Sequence, residues 1–447
     1  MGRLFGTDGI RGVANQHPMT PETALRAGRA VSMVFGTKGR IVIGKDTRIS
    51  GNMLEYALAS GICSAGGNAY LAGVLPTPGI AFLSQAEKAD AGIVISASHN
   101  PFYDNGIKIF KGDGFKLPDE KEAEIEELLL DEKLAEKCGH IRETGQVFQV
   151  ENAGDRYAQF LKNTLPPGFS LKGMKIVLDC SNGATYQVAP KVFAELGADI
   201  QSLFVLPDGK NINAHCGSQH TESLKSQVHA WGADIGLAFD GDGDRLIAVD
   251  EKGNIITGDK ILVICAKYMK KKGLLKNNLA VTTVMSNIGL HIALKKMEID
   301  HRITDVGDRY VMQEMLASGA VLGGEDSGHM IFLNYHSTGD GILTALRLIE
   351  AMMDAARPLS ELAKIMDVYP QLLVNVEVLE KPDIETHPRI SAVIRNAEKA
   401  LGEKGRVLVR YSGTQPLCRI MAEGPTEEEI RHYCEEIAAV VKAEIGK

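Results

Sequence analysis

Short apolar runs alternate with longer helical stretches along most of the chain. The branched run at 41–44 is typical of a buried strand, and residues 51–66 are typical of a helix. Thr20 followed by Pro21 predicts a helix start, because a capping residue stands before a proline at the first helical position. Strands that alternate with helices in this way indicate an α/β protein with mainly parallel sheets.

The pattern contains a faint internal repeat. In each repeat a short apolar strand runs into a polar turn, and a second strand further along ends in polar or charged residues. The repeats predict three similar mixed-sheet α/β domains. Because ligands of open α/β sheets bind at the carboxyl ends of strands, we expect the later loops of the three repeats to converge. The first segments are 39–50, 174–185 and 277–287, and the second segments are 89–101, 232–245 and 318–329.

The last part of the chain has a different pattern. Residues 369–383 alternate like a half-buried strand, and a helical stretch then leads to two short strands joined by a glycine-containing turn. Thr426 and Glu429 are spaced as a capping box for a final helix. This pattern predicts a smaller α+β C-terminal domain. The expected domains are 1–150, 151–254, 255–367 and 368–447.

Composition and charge narrow the possible functions. The chain has 447 residues, of which 44% are hydrophobic and 24% charged, and its net charge of -8 argues against a nucleic-acid or anionic-membrane partner. No stretch reaches the ~20 apolar residues of a membrane span, and the first residues do not resemble a secretory signal. The 7 cysteines include no C-x-x-C pair, which favours reduced thiols in a cytoplasm over disulfides or a zinc site.

The segment DGDGDR at 240–245 is the sharpest chemical signal in the sequence. Its three aspartates alternate with glycines and would repel one another strongly unless a cation lies between them. Oxygen ligands of this kind suit a hard ion, most plausibly Mg²⁺. Glu251 stands where a calcium EF-hand needs its last ligand, but Arg245 replaces the required glycine, so we reject an EF-hand. A polar hairpin turn without a metal is the alternative.

The segment SASHNP at 96–101 ends an apolar strand with unusual chemistry. Turn formers explain why the strand stops, but they do not explain His99 or the nearby Lys108. In an extended backbone Ser98 and His99 point in opposite directions, so His99 is poorly placed to act as a base on its neighbour. A hydrolase triad is therefore disfavoured, and a phosphorylated Ser98 beside the magnesium site fits better. Lys108 and Arg11 could then handle protons and charge.

Two further loops combine small and polar residues. The segment GGEDSGH at 323–329 suits a polyhydroxylated ligand, because its carboxylates and hydroxyl can bind sugar hydroxyls. The segment RYSGTQP at 410–416 offers an arginine, hydroxyls and backbone N–H groups, as in a phosphate cradle. A plain polar turn would explain either loop taken alone.

Together these motifs resemble a known family. SASHNP, DGDGDR, GGEDSGH and RYSGTQP occur in the order seen in the α-D-phosphohexomutase superfamily. FGTDGIRG at the start, VGDRYV at 306–311 and YPQLLVNV at 369–376 are similar to the bacterial members that act on glucosamine phosphate. The resemblance covers essentially the whole chain and implies four domains around a central cleft, the first three sharing one α/β fold.

The resemblance also implies an activity. Such an enzyme interconverts glucosamine 6-phosphate and glucosamine 1-phosphate through a phosphoserine and a 1,6-bisphosphate intermediate, and its product feeds UDP-N-acetylglucosamine synthesis. Glucosamine or glucose 1,6-bisphosphate is the expected activator. A phosphomannomutase or phosphoglucomutase with the same chemistry is the nearest alternative, and a magnesium-dependent sugar phosphatase is an alternative of another class. Members of this kind are often homodimers.

Roles for individual residues follow from the same resemblance. Ser98 would be the phosphoserine, His99 would support its loop, and Lys108 and Arg11 would act in acid–base roles. Expected metal ligands are the Ser98 phosphate, Asp240, Asp242 and Asp244, and expected substrate-binding residues are Arg245, Glu325, Ser327, His329, Arg410, Ser412, Gly413 and Thr414.

Three positions depart from the pattern of the family. Tyr411 and Gln415 stand where these members usually have Pro and Glu, which would alter the stiffness or charge of the phosphate loop. Asp326 stands where the sugar loop usually has Gln. Its added negative charge could favour the ammonium group of an amino sugar, or Asp326 could face solvent.

Overall fold

The computed structural model describes residues 4–6, 8–36, 38–412 and 416–447. The chain divides into two units: the first comprises 1–285 and 299–364, and the second comprises 286–298 and 365–447. No helix among the described residues is long and apolar enough to cross a membrane.

The first sheet carries the segment that includes Ser98. Its elements in chain order are β1 (Phe5–Gly6), β2 (Gly9–Val13), α1 (Pro21–Phe35), β3 (Arg40–Lys45), α2 (Gly51–Ser64), β4 (Asn68–Val74), α3 (Thr77–Ala86), β5 (Ala91–Ile95), β6 (Asp104–Lys111), α4 (Asp119–Leu130), α5 (Leu134–Gly139) and β7 (Val147–Gln149). The strand order is β1-β2-β6-β5-β3-β4-β7. Strand β3 pairs in parallel with β4 and β5, whereas β6 pairs antiparallel with β5 and β2.

The start of α1 and the packing of this sheet follow from the sequence pattern. Thr20 Oγ1 accepts a hydrogen bond from the backbone N of Thr23 at 3.2 Å, which caps the helix before Pro21. The branched side chains of Ile41 and Ile43 are fully buried in one core with those of α1 and α2. Strands β3 and β5 run in parallel with Lys45 beside Ile95, so the loops that follow them leave the same edge of the sheet.

The second sheet carries the acidic loop. After α6 (Ala153–Asn163) come β8 (Lys175–Asp179), α7 (Val188–Glu195), β9 (Asp199–Leu203), α8 (Glu222–Trp231), β10 (Ile235–Phe239), β11 (Leu246–Asp250) and β12 (Ile255–Ile256). The strand order is β12-β11-β10-β8-β9, with β10 parallel to β8 and antiparallel to β11. The loop 240–245 therefore links a parallel strand to its antiparallel neighbour.

The third sheet repeats this arrangement. Its elements are α9 (Gly258–Lys271), a 3₁₀ turn (Lys276–Asn278), β13 (Leu279–Thr283), β14 (Asp300–Thr304), α11 (Asp308–Ser318), β15 (Leu322–Gly324), β16 (Met330–Phe332), α12 (Gly341–Ala355) and α13 (Leu359–Leu362). Between β13 and β14 the chain forms α10 (Ile288–Lys296), which belongs to the second unit. Strand β13 pairs in parallel with β14 and β15, and β15 turns back antiparallel into β16. The repeat predicted from the sequence is confirmed, since 96–103, 240–245 and 325–329 occupy equivalent places.

The second unit has a smaller antiparallel sheet. Strand β19 (Leu417–Glu423) lies between β17 (Gln371–Glu377) and β18 (Arg406–Tyr411), with the helices α14 (Pro388–Leu401) and α15 (Glu427–Ile445). Two further 3₁₀ turns are Ala363–Ile365 and Gly402–Lys404. Thr426 Oγ1 accepts from the backbone N of Glu429, which confirms the predicted cap of α15. A smaller C-terminal α+β domain is therefore confirmed.

Candidate active site

Ser98 lies directly opposite the acidic loop. It is buried, and its Oγ donates a hydrogen bond to Asp240 Oδ2 at 2.5 Å. The backbone N of Ser98 donates to Ser96 Oγ at 3.0 Å, and Ser96 Oγ in turn donates to Asp46 Oδ2 at 2.5 Å. Ser98 has a φ of 51°, in the left-handed region that residues with a side chain rarely adopt. The end of β5 thus presents a buried hydroxyl in a constrained conformation.

The expectation about the direction of His99 is wrong. The left-handed backbone of Ser98 replaces the assumed extended one, and His99 Nδ1 lies 3.2 Å from Ser98 Oγ. Burial, followed by the charges of Arg245 and Arg11, lowers the pKa of His99 to about 4. Among the hydrogen bonds of the described residues, none joins a carboxylate to His99, so the orienting third member of a hydrolase triad is absent there.

The three aspartates of the acidic loop form one buried cluster. Oxygen atoms of Asp240, Asp242 and Asp244 lie within 4.8 Å of one another. Burial, with the charges of Asp244 and Asp242, raises the pKa of Asp240 well above its usual range. Burial alone would also raise the pKa of Asp242, but Lys108 and hydrogen bonds, including one from Thr77 Oγ1 at 2.7 Å, lower it instead. The carboxylates of the cluster therefore repel one another, and Lys108 and the hydrogen bonds offset part of that repulsion.

This donor set fits a hard divalent cation. Asp242 Oδ1 and Asp244 Oδ1 are buried and accept no hydrogen bond from the part of the chain that the structure describes. Buried carboxylate oxygens without a partner are unfavourable unless a cation binds them. A methyl group at Gly241 would lie 2.5 Å from the carbonyl oxygen of Ser98, so a glycine is needed for the acidic loop to approach the serine.

Lys108 places a positive charge beside the acidic loop. Its Nζ lies 2.9 Å from Asp242 Oδ2, 3.1 Å from Asp8 Oδ2 and 3.8 Å from Asp244 Oδ2. Burial would lower the pKa of Lys108, but the charges of Asp242, Asp8 and Asp244 outweigh it and raise the pKa. Lys108 is therefore an ammonium in this arrangement.

A cavity of about 590 Å³ opens onto these loops. It is lined by residues of all three repeats, including Ser98, Asp244 and Glu325. Arg11 and Arg245 also line it, and the Nε atom of each is buried without a hydrogen-bond partner among the described residues. Arg245 Nε lies 3.8 Å from Asp244 Oδ1, and two guanidinium groups beside a serine suit a phosphate. The predicted site residues that line the cavity are Arg11, Ser98, Asp244, Arg245, Glu325 and His329.

His329 connects the sugar loop to the acidic loop. It is buried, with Nδ1 3.6 Å from Asp244 Oδ2 and Nε2 3.6 Å from Asp308 Oδ2. Burial would lower the pKa of His329, but the charges of Asp244, Asp308 and Glu325 raise it. Arg245 and His329 also pair as an isolated antiparallel bridge. The second and third repeats therefore meet at this histidine.

Sequence reasoning missed three charged residues that hold this cavity together. Lys116 Nζ lies 2.5 Å from Asp8 Oδ1 and 2.5 Å from Asp308 Oδ2, so it joins the N-terminal strands to the start of α11. Asp8 also pairs with Arg11. Two of the three residues lie in motifs of the family resemblance, Asp8 in FGTDGIRG and Asp308 in VGDRYV.

Members of the sugar loop lie in different surroundings. Glu325 Oε1 accepts from the backbone N of Gly307 at 2.9 Å, whereas Ser327 is exposed and is not among the residues that line the described cavity. Asp326 is half-buried, and its Oδ1 accepts from the backbone N of Asp259 at 3.1 Å, in the first turn of α9. Asp326 therefore binds a helix terminus, which neither of the two sequence interpretations foresaw.

The predicted phosphate loop belongs to the second unit. Arg410 is exposed near the end of β18, and Ser412 is buried with its backbone N bonded to the carbonyl of Leu417 at 2.8 Å. Tyr411 Oη donates to the carbonyl of Pro382 at 2.8 Å. Gly413 and Thr414, and the variant position Gln415, lie outside the described residues.

Family models match four consecutive parts of the chain. They are the phosphoglucomutase/phosphomannomutase α/β/α domains I, II and III at residues 2–136, 155–253 and 257–369, and the C-terminal domain at 373–440. Two curated relatives, both named phosphoglucosamine mutase, come from Syntrophus aciditrophicus and Syntrophobacter fumaroxidans. Each is 60% identical to this chain over 449 residues, with 100% of both chains covered.

Solved structures share the fold at lower identity. A phosphoglucomutase/phosphomannomutase family protein from Burkholderia thailandensis has a TM-score of 0.80 and 23% identity, with coverage of 100% of this chain and 99% of that one. N-acetylphosphoglucosamine mutase from Aspergillus fumigatus, solved with GlcNAc-6P and magnesium, has a TM-score of 0.67 and 18% identity, with coverage of 98% and 95%. These likenesses concern the fold.

Proposed function

The chain belongs to the phosphoglucomutase/phosphomannomutase family, and we propose on that premise that it interconverts glucosamine 6-phosphate and glucosamine 1-phosphate. It is an enzyme of the isomerase class that transfers a phosphoryl group within one sugar phosphate. Glucosamine as the sugar rests on the full-length relatives at 60% identity, both named for that substrate. The product would feed UDP-N-acetylglucosamine synthesis.

One observation supports the chemistry most directly. The hydroxyl of Ser98 is buried 2.5 Å from Asp240, in a cavity that also receives two guanidinium groups. In the forward reaction the bond from Ser98 Oγ to phosphorus breaks and a bond to the free sugar hydroxyl forms, which gives a 1,6-bisphosphate. After the intermediate reorients, its other phosphate returns to Ser98. The sugar hydroxyl loses its proton in this step and Ser98 Oγ gains one, and Lys108 and Arg11 are our candidates for passing that proton and for compensating the charge on the phosphate oxygens.

The acidic loop would hold the metal. Asp240, Asp242 and Asp244, together with a phosphate on Ser98, would bind Mg²⁺ through oxygen atoms, in keeping with the carboxylate oxygens of the loop that accept no hydrogen bond from the described residues. When bound, Mg²⁺ supplies positive charge that stabilises the phosphoryl oxygens. The protein's own part is to hold the serine and the carboxylates in one buried arrangement.

The rest of the cavity would orient the substrate. Arg11 and Arg245 would donate to the phosphate, and Glu325 would accept from sugar hydroxyls. His329 would hold the sugar loop against the acidic loop. In the second unit, Arg410 and Ser412, with Gly413 and Thr414, remain our proposed phosphate cradle.

Several broader expectations also stay proposals. The three domain boundaries, after residues 150, 254 and 367, stay proposals; the second sheet crosses one of them, since its strand β12 begins at Ile255. A cytoplasmic location, a homodimer, and activation by glucosamine or glucose 1,6-bisphosphate rest on the family resemblance.

The test is a substrate comparison on the purified enzyme. The kcat/KM is measured for glucosamine, glucose and mannose 6-phosphates with Mg²⁺ and the matching 1,6-bisphosphate, and inorganic phosphate is measured in parallel. We expect a preference for glucosamine of about 100-fold or more, equivalent to about 2.7 kcal/mol. Equal or greater activity on glucose or mannose would contradict the choice of sugar. Release of inorganic phosphate in excess of transferred phosphate would identify a phosphatase.

A further inference from the structure

The carbonyl oxygen of Ser98 is held by two side chains from distant parts of the sequence. Arg48 Nη2 donates to it at 2.9 Å, and Asn213 Nδ2 donates to it at 2.9 Å. We propose that Asn213 is a positioning residue which, with Arg48, fixes the backbone of Ser98 so that its Oγ stays directed at the acidic loop. The expected effect on catalysis rests on the proposed function.

Arg48 supports the whole serine loop from one side. Its guanidinium group is fully buried beside Asp46, with Nε 2.8 Å from Asp46 Oδ2. A buried arginine with a carboxylate partner is rigid enough to use its remaining donors for fixed contacts. Those donors bind the carbonyl oxygens of Ser98, Asn100, Pro101 and Asp104.

Asn213 supports the same loop from the side of the second sheet. It lies in the connection between β9 and α8, and its Nδ2 also donates to the carbonyl of Asn100 at 3.0 Å. Its own backbone N donates to the carbonyl of Ser181 at 2.9 Å, which fixes the residue beside the acidic loop. The amide of Asn213 thereby ties the serine loop to the sheet that carries the three aspartates.

The strained conformation of Ser98 makes these contacts matter. Its φ of 51° persists only where the surroundings hold it, because a residue with a side chain favours negative φ. Rotation of this backbone moves the carbonyl and the Oγ together, so release of the carbonyl would move the Oγ away from Asp240. A displacement of about 1 Å at a reacting group can lower the rate about 100-fold.

The key variant is Asn213→Gly. Asn213 has a φ of 59°, which glycine adopts without strain, so the substitution removes the amide and leaves the backbone conformation accessible. Asn277→Gly is a matched control, since Asn277 has a φ of 56° and its Nδ2 donates to the carbonyl of Ser318 at 3.1 Å. Thr47→Val is a second control, because Thr47 Oγ1 donates to the carbonyl of Asn182, and no hydrogen bond found in the described part of the chain joins it to Ser98.

We expect Asn213→Gly to lower kcat by about 10-fold to 100-fold while KM for the sugar phosphate changes little. Both controls should keep kcat within about 2-fold of wild type, and the thermal midpoints of all three variants should be similar. If Asn213→Gly does not fold, Asn213→Ser, which leaves one short donor, takes its place. A kcat for the Asn213 variant equal to that of Asn277→Gly would overturn the assignment.

Hydrogen exchange gives a readout that does not depend on activity. Amides of residues 96–101 should exchange faster in Asn213→Gly than in wild type, and should be unchanged in both controls. Unchanged exchange would also overturn the assignment. An inactive wild type with the expected exchange pattern would instead contradict the proposed function and leave the role of Asn213 standing.

Discussion

Lys108 Nζ lies 2.9 Å from Asp242 Oδ2, so the strand that follows the serine loop reaches the acidic loop through a buried ion pair. This contact joins the first and second sheets at the point where the reaction is proposed to occur. It also divides the charge of the acidic loop unequally, because Asp242 has an ammonium partner whereas Asp240 Oδ2 accepts a hydrogen bond from the neutral hydroxyl of Ser98.

Removal of this ammonium group should affect both activity and stability. Lys108→Met would leave Asp242, Asp8 and Asp244 without their shared counter-charge, so activity should fall about 100-fold and the metal-free protein should unfold at a lower temperature. Mg²⁺ should recover part of the lost stability but not the activity. Steady-state kinetics measure the activity, and thermal unfolding with and without Mg²⁺ measures the stability. Lys111→Met, at an exposed pair with Asp113, should change neither quantity.

The hydroxyl of Ser98 should be indispensable. Ser98→Ala should lower mutase activity by more than ~10³-fold and abolish any added phosphate mass on the protein. Intact-mass measurement after incubation with the 1,6-bisphosphate provides the check, and wild type treated in the same way is the reference. Phosphate that persists on the Ala variant would place the phosphorylated residue elsewhere.

Metal binding should appear as added thermal stability. Mg²⁺ at about 100 times its dissociation constant should stabilise the wild type by about 2.7 kcal/mol. Asp244→Asn should reduce that gain because one anionic oxygen ligand is lost, whereas the exposed Asp234→Asn should keep it. A gain of the same size in Asp244→Asn would remove this residue from the proposed ligand set.

His336 should make stability depend on pH. Its Nε2 lies 2.9 Å from the carbonyl of Pro78, and burial lowers its pKa from 6.5 to about 4. The unfolded chain therefore takes up a proton before the folded chain does, so stability is intact above pH 6.5 and is lost as the pH falls toward 4, by about 3 kcal/mol in all. His336→Gln should remove this contribution to stability, so the thermal midpoint should depend less on pH. The exposed His432→Gln should leave the wild-type slope.

Asp326 should affect stability more than specificity. Because its Oδ1 binds the backbone of Asp259, Asp326→Gln should cost about 1 kcal/mol and change the preference between glucosamine and glucose phosphates by no more than about 2-fold. Competition between the two substrates measures the preference directly. A large loss of preference in this variant would revive the idea that Asp326 recognises the ammonium group.

The sequence predicted the loops well and their internal geometry poorly. Strand-to-turn patterns were enough to place Ser98, Asp240 and Glu325 at equivalent ends of three sheets, because hydrophobic periodicity determines where strands stop. The direction of His99 was wrong, since it depends on a left-handed residue that hydrogen bonds from Arg48 and Asn213 hold in place. Arg48 and Asn213 lie 50 and 115 positions from Ser98 in the sequence, and no local pattern reveals such constraints.

The partners of the charged residues could not be predicted from the sequence either. Lys116 is an unremarkable lysine after a glycine turn until folding brings Asp8 and Asp308 to either side of it. Asp326 likewise appeared as a change in charge at the sugar loop, and folding turned it toward a helix terminus. Residue types at strand ends could be predicted, but the pairing of their charges required the three-dimensional structure.

Each of the three loops is anchored by sheet at both ends, since it joins a parallel strand to an antiparallel neighbour. A segment tethered in this way has few conformations to lose when a ligand arrives, because folding has already ordered it. Ligand binding therefore costs little ordering of these loops, and their reacting groups stay aligned while a ligand moves. That combination suits an enzyme whose bisphosphate must loosen, turn around and bind again without leaving.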